Sequence, residues 1–212
     1  MHVLVVLAHP ESASFNGHLA RLAETTLTAA GHTVEISDLY QQEFGAVAGL
    51  ADFTEPLSTD YFDLQAQQRA AVANRTFAPD VQAEMDKLRR CDLLLFQFPL
   101  WWHSVPAILK GWIDRVLAVG FAYGGVKELA GKRALVSLTS GTPEHLWDGV
   151  TLPTLESTLS HLLRGTLAFC GMAVYEPFMI GGVKQLSPEQ RAQAEVDFVE
   201  MLHHLPQRRL IF

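Results

Sequence analysis

The sequence predicts an α/β fold: a five-stranded parallel sheet in strand order 2-1-3-4-5, helices on both faces, in a single domain over residues 1–212. Three observations point there. Short β-branched and leucine runs without polar alternation read as strands buried on both faces. Segments with helical spacing of apolar residues separate those runs. The runs at 2–8, 93–98 and 132–139 each stop at small, polar or aromatic residues, so three loops are expected at one edge of the sheet, where open α/β sheets bind ligands.

Residues 2–8 give the first strand, which ends at His9-Pro10, and a small polar loop leads into a helix over 18–30. Ser12, Ser14 and Asn16 are all N-cap types at its start. Gly31 ends that helix and residues 33–39 return as the second strand. The stretch 40–79 is longer than the next connection needs, with a helix near 62–74, and is expected to be a functional or packing excursion. A helix over 80–90, capped by Asp80, precedes the central strand. Pro99 closes that strand, and Pro106 opens a helix over 107–117. Further on come the segment 119–125 as a rim and a fourth strand over 132–139. A helix over 154–170, a fifth strand over 172–180 and a final helix over 188–205 behind a Ser187 cap complete the chain.

The chain of 212 residues is 49% hydrophobic and carries a formal charge of −7, with no long basic run. Non-specific binding to nucleic acid or an anionic membrane needs a cationic field, so neither partner is expected. Cys91 and Cys170 lack metal-ligand or CxxC spacing and read as buried thiols. No segment reaches membrane-spanning length, and the strand-like start shows no leader; a cytoplasmic protein without stable membrane insertion is expected. The histidines do not cluster at ligand spacing, which disfavours a metal enzyme. A serine hydrolase is disfavoured by the lack of a GxSxG elbow.

Two stretches carry chemistry. After Pro99, two tryptophans and a histidine are delivered onto a loop at the central strand's carboxyl end; flat aromatics and free N–H groups there suit a planar ring system. The alternative is that Trp101 and Trp102 cap the core. The first loop, before a helix N-terminus, suits a phosphate, although the glycine-rich GxGxxG fingerprint is absent. Ordinary capping with water in the turn is the competing reading.

The runs Gln97-Phe98-Pro99-Leu100-Trp101-Trp102 and Pro106-Ala107-Ile108-Leu109-Lys110-Gly111-Trp112 resemble the signature of the NAD(P)H:quinone oxidoreductases, also called DT-diaphorase-like or flavodoxin-2 flavoproteins. The resemblance continues in His9 with Ser14-Phe15-Asn16, in Phe121-Ala122-Tyr123 and in Phe169-Cys170-Gly171. It implies a flavodoxin-like fold and hydride transfer from NADH or NADPH through flavin N5 to a quinone or similar acceptor, both using one slot in a ping-pong sequence. The resemblance assigns His9, Ser14, Phe15 and Asn16 to the cofactor's diphosphate and ribityl chain. Pro99, Leu100, Trp101 and Trp102 would line the isoalloxazine, and Thr139, Ser140 and Gly141 its pyrimidine edge. His103, Phe121, Tyr123, Trp147 and Phe169 are implied in substrate contact, and Trp102, Tyr123 and His145 in catalysis. Tyr123, with Phe121, would cover the neighbouring subunit's flavin in a homodimer. The long insert over 40–79 is similar to that of FAD-binding members, so FAD is expected, with FMN the alternative, and no metal.

The sequence departs from the family's pattern after the fourth strand. Thr142 and Pro143 follow Gly141 where a second glycine is common, Trp147 stands where tyrosine is expected, and the later histidine has no counterpart. His145 is a candidate replacement donor near developing negative charge. The chain also ends soon after its last helix, from which a more open pocket and wider acceptor tolerance are expected. A flavodoxin-type electron carrier and a regulatory flavin-binding subunit of a potassium-efflux system are the other functional classes.

Overall fold

Strands β1 (His2–Leu7), β2 (Thr33–Asp38), β3 (Leu93–Pro99), β4 (Arg133–Thr139) and β5 (Ala173–Val174) lie parallel in the order β2-β1-β3-β4-β5, and a sixth, β6 (Phe178–Ile180), also pairs with β4. The computed structural model describes residues 1–58, 60–125 and 127–212. The expected strand order holds, with one change: the fifth position is shared by two short strands. Pro177 has no N–H for a ladder, and the Glu176 N–H turns away to the carbonyl of Arg209 at 2.9 Å. Residues 209–212 thereby run antiparallel along the sheet edge, where Ile211 donates to Val174 and Tyr175 bridges Leu210.

Side chains alternate across the central strands and divide the core in two. Leu4, Val6, Leu94, Phe96, Phe98, Val136 and Leu138 face one layer. It contains α3 (Pro79–Arg90) and α4 (Ala107–Val116), with α2 (Leu64–Asn74) packed against them. Val3, Val5, Leu7, Leu93, Leu95 and Leu135 face α1 (Phe15–Ala29) and α7 (Pro188–His203). Because both faces are covered, nearly every position of β3 is apolar and all are buried. Gln97 is the polar exception.

Helix boundaries follow their caps. Ser14 accepts the Gly17 N–H at 3.1 Å to start α1, and Ser187 with Gln190 forms a reciprocal capping box on α7. Asp80 is not the cap expected for α3: Pro79 occupies the first turn, Ala78 is the cap residue, and the Asp80 carboxylate pairs with Arg115 at 2.8 Å. The helix expected over 154–170 is broken into α5 (Leu155–Thr158), α6 (Ser160–Leu162) and a π-helical segment, Leu163–Ala168. Gly165 weakens the run, and the Thr166 hydroxyl donates to the His161 carbonyl at 3.0 Å, five residues back, matching the widened turn.

The 40–79 excursion is packed onto α4. Gly111 permits this, since a Cβ there would collide with the backbone of Ala46. Arg115 holds Asp52 at 2.8 Å and the Gly45 carbonyl at 3.0 Å, while Phe53 and Phe77 bridge antiparallel to close the loop. Beneath it, buried Glu84 accepts the Trp112 indole N–H at 2.8 Å, the Ser37 hydroxyl at 3.0 Å and the Lys87 ammonium at 2.6 Å.

Candidate functional site

Three strand ends meet at one rim of the sheet. The ladder continues beyond β1, where Ala8 N–H donates to the Gln97 carbonyl at 3.0 Å. It also continues beyond β3, where Leu100 N–H donates to the Thr139 carbonyl at 2.7 Å. Trp101 and Ser104 then exchange two backbone hydrogen bonds of 3.0 Å, closing a two-residue turn. Both residues between them are left-handed, Trp102 at φ 50° and His103 at φ 58°. Two positive φ values are the signature of a type I′ turn, which usually employs Asn-Gly or Gly-Gly. A tryptophan and a histidine make it strained, at a cost on the order of 1 kcal/mol or more each.

The turn aims its side chains outward. Trp102 is 97% exposed and Trp101 42%, and the Trp101 ring stands 6.4 Å from the His9 ring across the rim. His103 meets Trp147 edge-on at 5.3 Å, so the turn and the loop after β4 touch. Ser104 lies 3.3 Å from His161 Nε2, which brings α6 to the same turn. Among the described residues nothing accepts the N–H of Trp102, His103, Gly141 or Thr142. These four N–H groups are therefore free to donate outward from the rim. Open space surrounds the Cβ position of Gly141.

The first loop is tight. Gly17 is required because a Cβ would run into the Ser12 carbonyl. Glu11 organises the loop, its carboxylate accepting from Ala13 N–H at 2.8 Å and its carbonyl from Ser14 N–H at 3.1 Å. His9 Nδ1 accepts from the Glu11 N–H at 3.0 Å. Phe15 stacks on His18 at 6.1 Å, and the Arg191 guanidinium of α7 lies over the Phe15 ring, 4.8 Å from its centroid. The Arg21 guanidinium donates to the Ser12 carbonyl at 2.9 Å. Two arginines thus flank a helix N-terminus, an electrostatic setting for a phosphate.

Several expected contacts take a different form. Asn16 is buried, and its amide is engaged by Gln97 and Thr139, both at 2.8 Å, so its side chain joins elements below the rim. Ser140 gives its N–H to the Ile180 carbonyl and its hydroxyl to the Thr142 carbonyl, leaving neither donor for a ligand. Pro99 is buried as the last residue of β3. Phe121, expected to touch substrate, is fully buried with Arg89 4.7 Å from its ring centroid; that expectation is corrected, because the ring has no accessible surface. His145 sits exposed on a single 3-10 turn, Glu144–Leu146.

Tyr123 and Phe169 are not on the strand-end rim. Their rings are 5.7 Å apart on a separate cleft of about 370 Å³ between α2, α4 and the π-helical segment. Leu64, Gln68, Asp114 and Cys170 also line it. Burial pushes the Cys170 thiol up to about 11. The expected constellation is therefore divided between two surfaces of one chain.

From sequence, Arg191 is not singled out, Gln97 enters only as part of the resembling run, and His161 reads as a structural or solvated helix residue; the structure brings all three to the rim or to the loops behind it. Gln97 left a visible signal, an amide inside an otherwise apolar strand. Arg191 left none, since its place over Phe15 depends on how α7 packs on α1. Among the described residues no three His, Cys, Asp or Glu side chains gather at a metal site, and no helix is long and apolar enough to cross a membrane.

Comparisons with known proteins agree with this fold. The Flavodoxin_2 family, described as a flavodoxin-like fold, matches residues 1–203. The chain is similar to the ribosyldihydronicotinamide dehydrogenase [quinone] of Mus musculus, at 42% identity over 197 residues, 89% of this chain and 85% of that protein. NAD(P)H dehydrogenase [quinone] 1 of Cavia porcellus is 34% identical over 212 residues, 95% of this chain and 76% of that one. A Klebsiella pneumoniae crystal structure assigned as a quinone reductase superposes with a TM-score of 0.93 at 34% identity, covering 100% of this chain and 87% of that one. With this fold, this rim and these relatives, the chain belongs to the Flavodoxin_2 family of flavodoxin-like proteins.

Proposed function

We infer that the protein is a flavin-dependent NAD(P)H:quinone oxidoreductase that works as a homodimer in the cytoplasm. The observation that carries this reading is the strained Trp102-His103 turn. It holds a fully exposed indole beside four unpartnered N–H donors, at a sheet edge suited to a planar, hydrogen-bonding ring. The residues fit a flavin: the Gly141 side is open, and the first loop offers a helix N-terminus flanked by Arg21 and Arg191.

A bound flavin supplies a two-electron centre able to take hydride from a dihydronicotinamide and deliver it to a quinone. The chain's own residues supply the rest. Trp101 and Trp102 would orient flat rings and exclude water, His9 would close the rim, and the free N–H groups of Gly141 and Thr142 would hold the ring's carbonyl groups. His103 and Trp147 wall the slot used in turn by donor and acceptor. His145 is placed to donate only if the exposed 3-10 turn folds inward on a ligand. Tyr123 and Phe169 act from the second copy, whose cleft surface covers the rim of the first. The long insert beside the first loop favours FAD over FMN.

The test is the absorption spectrum of purified protein, before and after anaerobic addition of NADPH, with the released cofactor identified by chromatography. A yellow protein bleached by the donor and recoloured by a quinone is expected. Colourless, folded protein that takes up no added flavin overturns the reading, and a stable one-electron state without donor bleaching indicates an electron carrier. Because relatives bear the ribosyldihydronicotinamide dehydrogenase name, that donor is assayed beside NADH and NADPH.

A further inference from the structure

The geometry points to Gln97 as a positioning residue for the ligand-binding rim, acting through a buried hydrogen-bond relay, Gln97 to Asn16 to Thr139. This deepens the flavin reading and rests on it.

Gln97 Nε2 donates to Asn16 Oδ1 at 2.8 Å, and Asn16 Nδ2 donates to Thr139 Oγ1 at 2.8 Å. The three side chains are 0, 3 and 2% exposed. They come from the end of β3, the first turn of α1 and the end of β4, the three elements that carry the rim. No single backbone contact ties all three. With Thr139 accepting from Asn16, its own hydroxyl proton is left to donate elsewhere. The relay therefore sets a donor at the strand end, and chained bonds of one polarity reinforce one another.

The cost of the arrangement argues that it serves more than packing. Gln97 Oε1 has no partner among the described residues, and neither has Ser137 Oγ on the adjoining strand in register. A buried polar atom left unpaired is destabilising, and an apolar side chain of similar shape avoids that loss. Every other residue of β3 is apolar. An amide retained at this one place, against the interest of stability, is explained by the one bond it makes, which fixes the orientation of Asn16 and so the spacing between the first loop and the loop after β4.

The experiment titrates FAD into flavin-free full-length protein, following flavin fluorescence, for the wild type and for Gln97→Met, Gln97→Glu, Thr139→Val and Thr139→Ser. Gln97→Met is expected to bind FAD about tenfold more weakly, the effect of one misplaced set of donors, while the melting temperature of the flavin-free protein stays near that of the wild type. Thr139→Val is expected to lose a similar factor and Thr139→Ser to retain affinity, since serine keeps the hydroxyl. Gln97→Glu supplies a readout that a purely structural role would not move. Burial raises the carboxyl pKa; its protonated form can donate to Asn16, so affinity approaches wild type at low pH and falls as pH rises through that pKa. The double variant Gln97→Met, Thr139→Val should lose no more than either single one, because one relay cannot be broken twice. Wild-type affinity in Gln97→Met, or fully additive losses in the double variant, overturns the relay while leaving the flavin reading intact. Wild-type protein that takes up no FAD overturns both.

Discussion

Arg115 and Asp52, one on α4 and the other in the long insert, form a buried ion pair with Nε and Oδ1 2.8 Å apart. Their side chains are 6% and 4% exposed. The same guanidinium donates to the Gly45 carbonyl, pairs with Asp80 and lies 4.6 Å from the Phe44 ring centroid. Removing one partner of a buried pair strands the other charge in the interior, so Arg115→Met should destabilise the fold by about 3–5 kcal/mol, read as a lower urea midpoint. Asp80→Asn should cost about 1 kcal/mol or less, because that carboxylate is 45% exposed. Equal losses from the two variants would show that Asp52 is not the dominant partner.

The strained turn predicts a trade between stability and activity. At φ 58°, His103 occupies backbone space that glycine enters without a Cβ penalty. After the flexibility glycine adds to the unfolded chain, His103→Gly should still stabilise by roughly 0.5–1 kcal/mol, a rise of about 1–4 °C in melting temperature. The same change removes the ring that meets Trp147, and quinone reduction should fall. A variant that gains stability and keeps full turnover would show that the His103 side chain has no part in the slot.

How much could be read beforehand depended on whether a feature was local. Strands β1 and β4 and helices α1, α3 and α4 were legible because buried strands write continuous apolar runs and helices write caps and periodicity. The sheet order followed from right-handed crossovers. The split of the fifth strand was not legible, since it depends on residues 209–212 reaching the edge to take the Glu176 N–H. The Trp102-His103 turn was equally hidden, because its sequence carries none of the Asn or Gly residues that mark a type I′ turn. At the site, the rim could be placed from where three strands stop. The burial of Phe121 and the engagement of Asn16 could not, because both are set by packing between elements distant in sequence.

The two thiols give a pH dependence with a definite sign. Burial raises Cys91 and Cys170 from an ordinary 9.0 to about 11, and both are 2% exposed. Between those values the unfolded chain has released the protons while the folded chain still holds them. Alkali therefore favours unfolding, and stability is lost as pH rises from about 9 to about 11, by roughly 2–3 kcal/mol per thiol once both limits are passed. Urea midpoints measured at pH 8 and pH 10.5 should fall more steeply for the wild type than for Cys91→Ala, Cys170→Ala, whatever the baseline difference from the lost sulfur atoms. Parallel slopes would mean that the thiols titrate alike in both states.

Arg191 offers the sharpest separation of phosphate binding from ring binding. Its guanidinium is held by the Val183 carbonyl at 3.2 Å and lies over Phe15 at the start of α1, beside amides not capped by Ser14. On the proposed flavin reading, a cation beside the start of α1 acts on phosphate charge, whereas the ring is assigned to the Trp101-Trp102 side of the rim. Arg191→Gln should therefore weaken FAD by about tenfold at low salt and by less at high salt, where screening reduces the wild type's advantage. Riboflavin, which carries the ring without phosphate, should bind wild type and variant alike. If riboflavin suffers the same loss as FAD, Arg191 supports the loop through Phe15 packing and not through its charge, and Arg191→Met, which keeps an unbranched side chain over that ring, should then restore both ligands together.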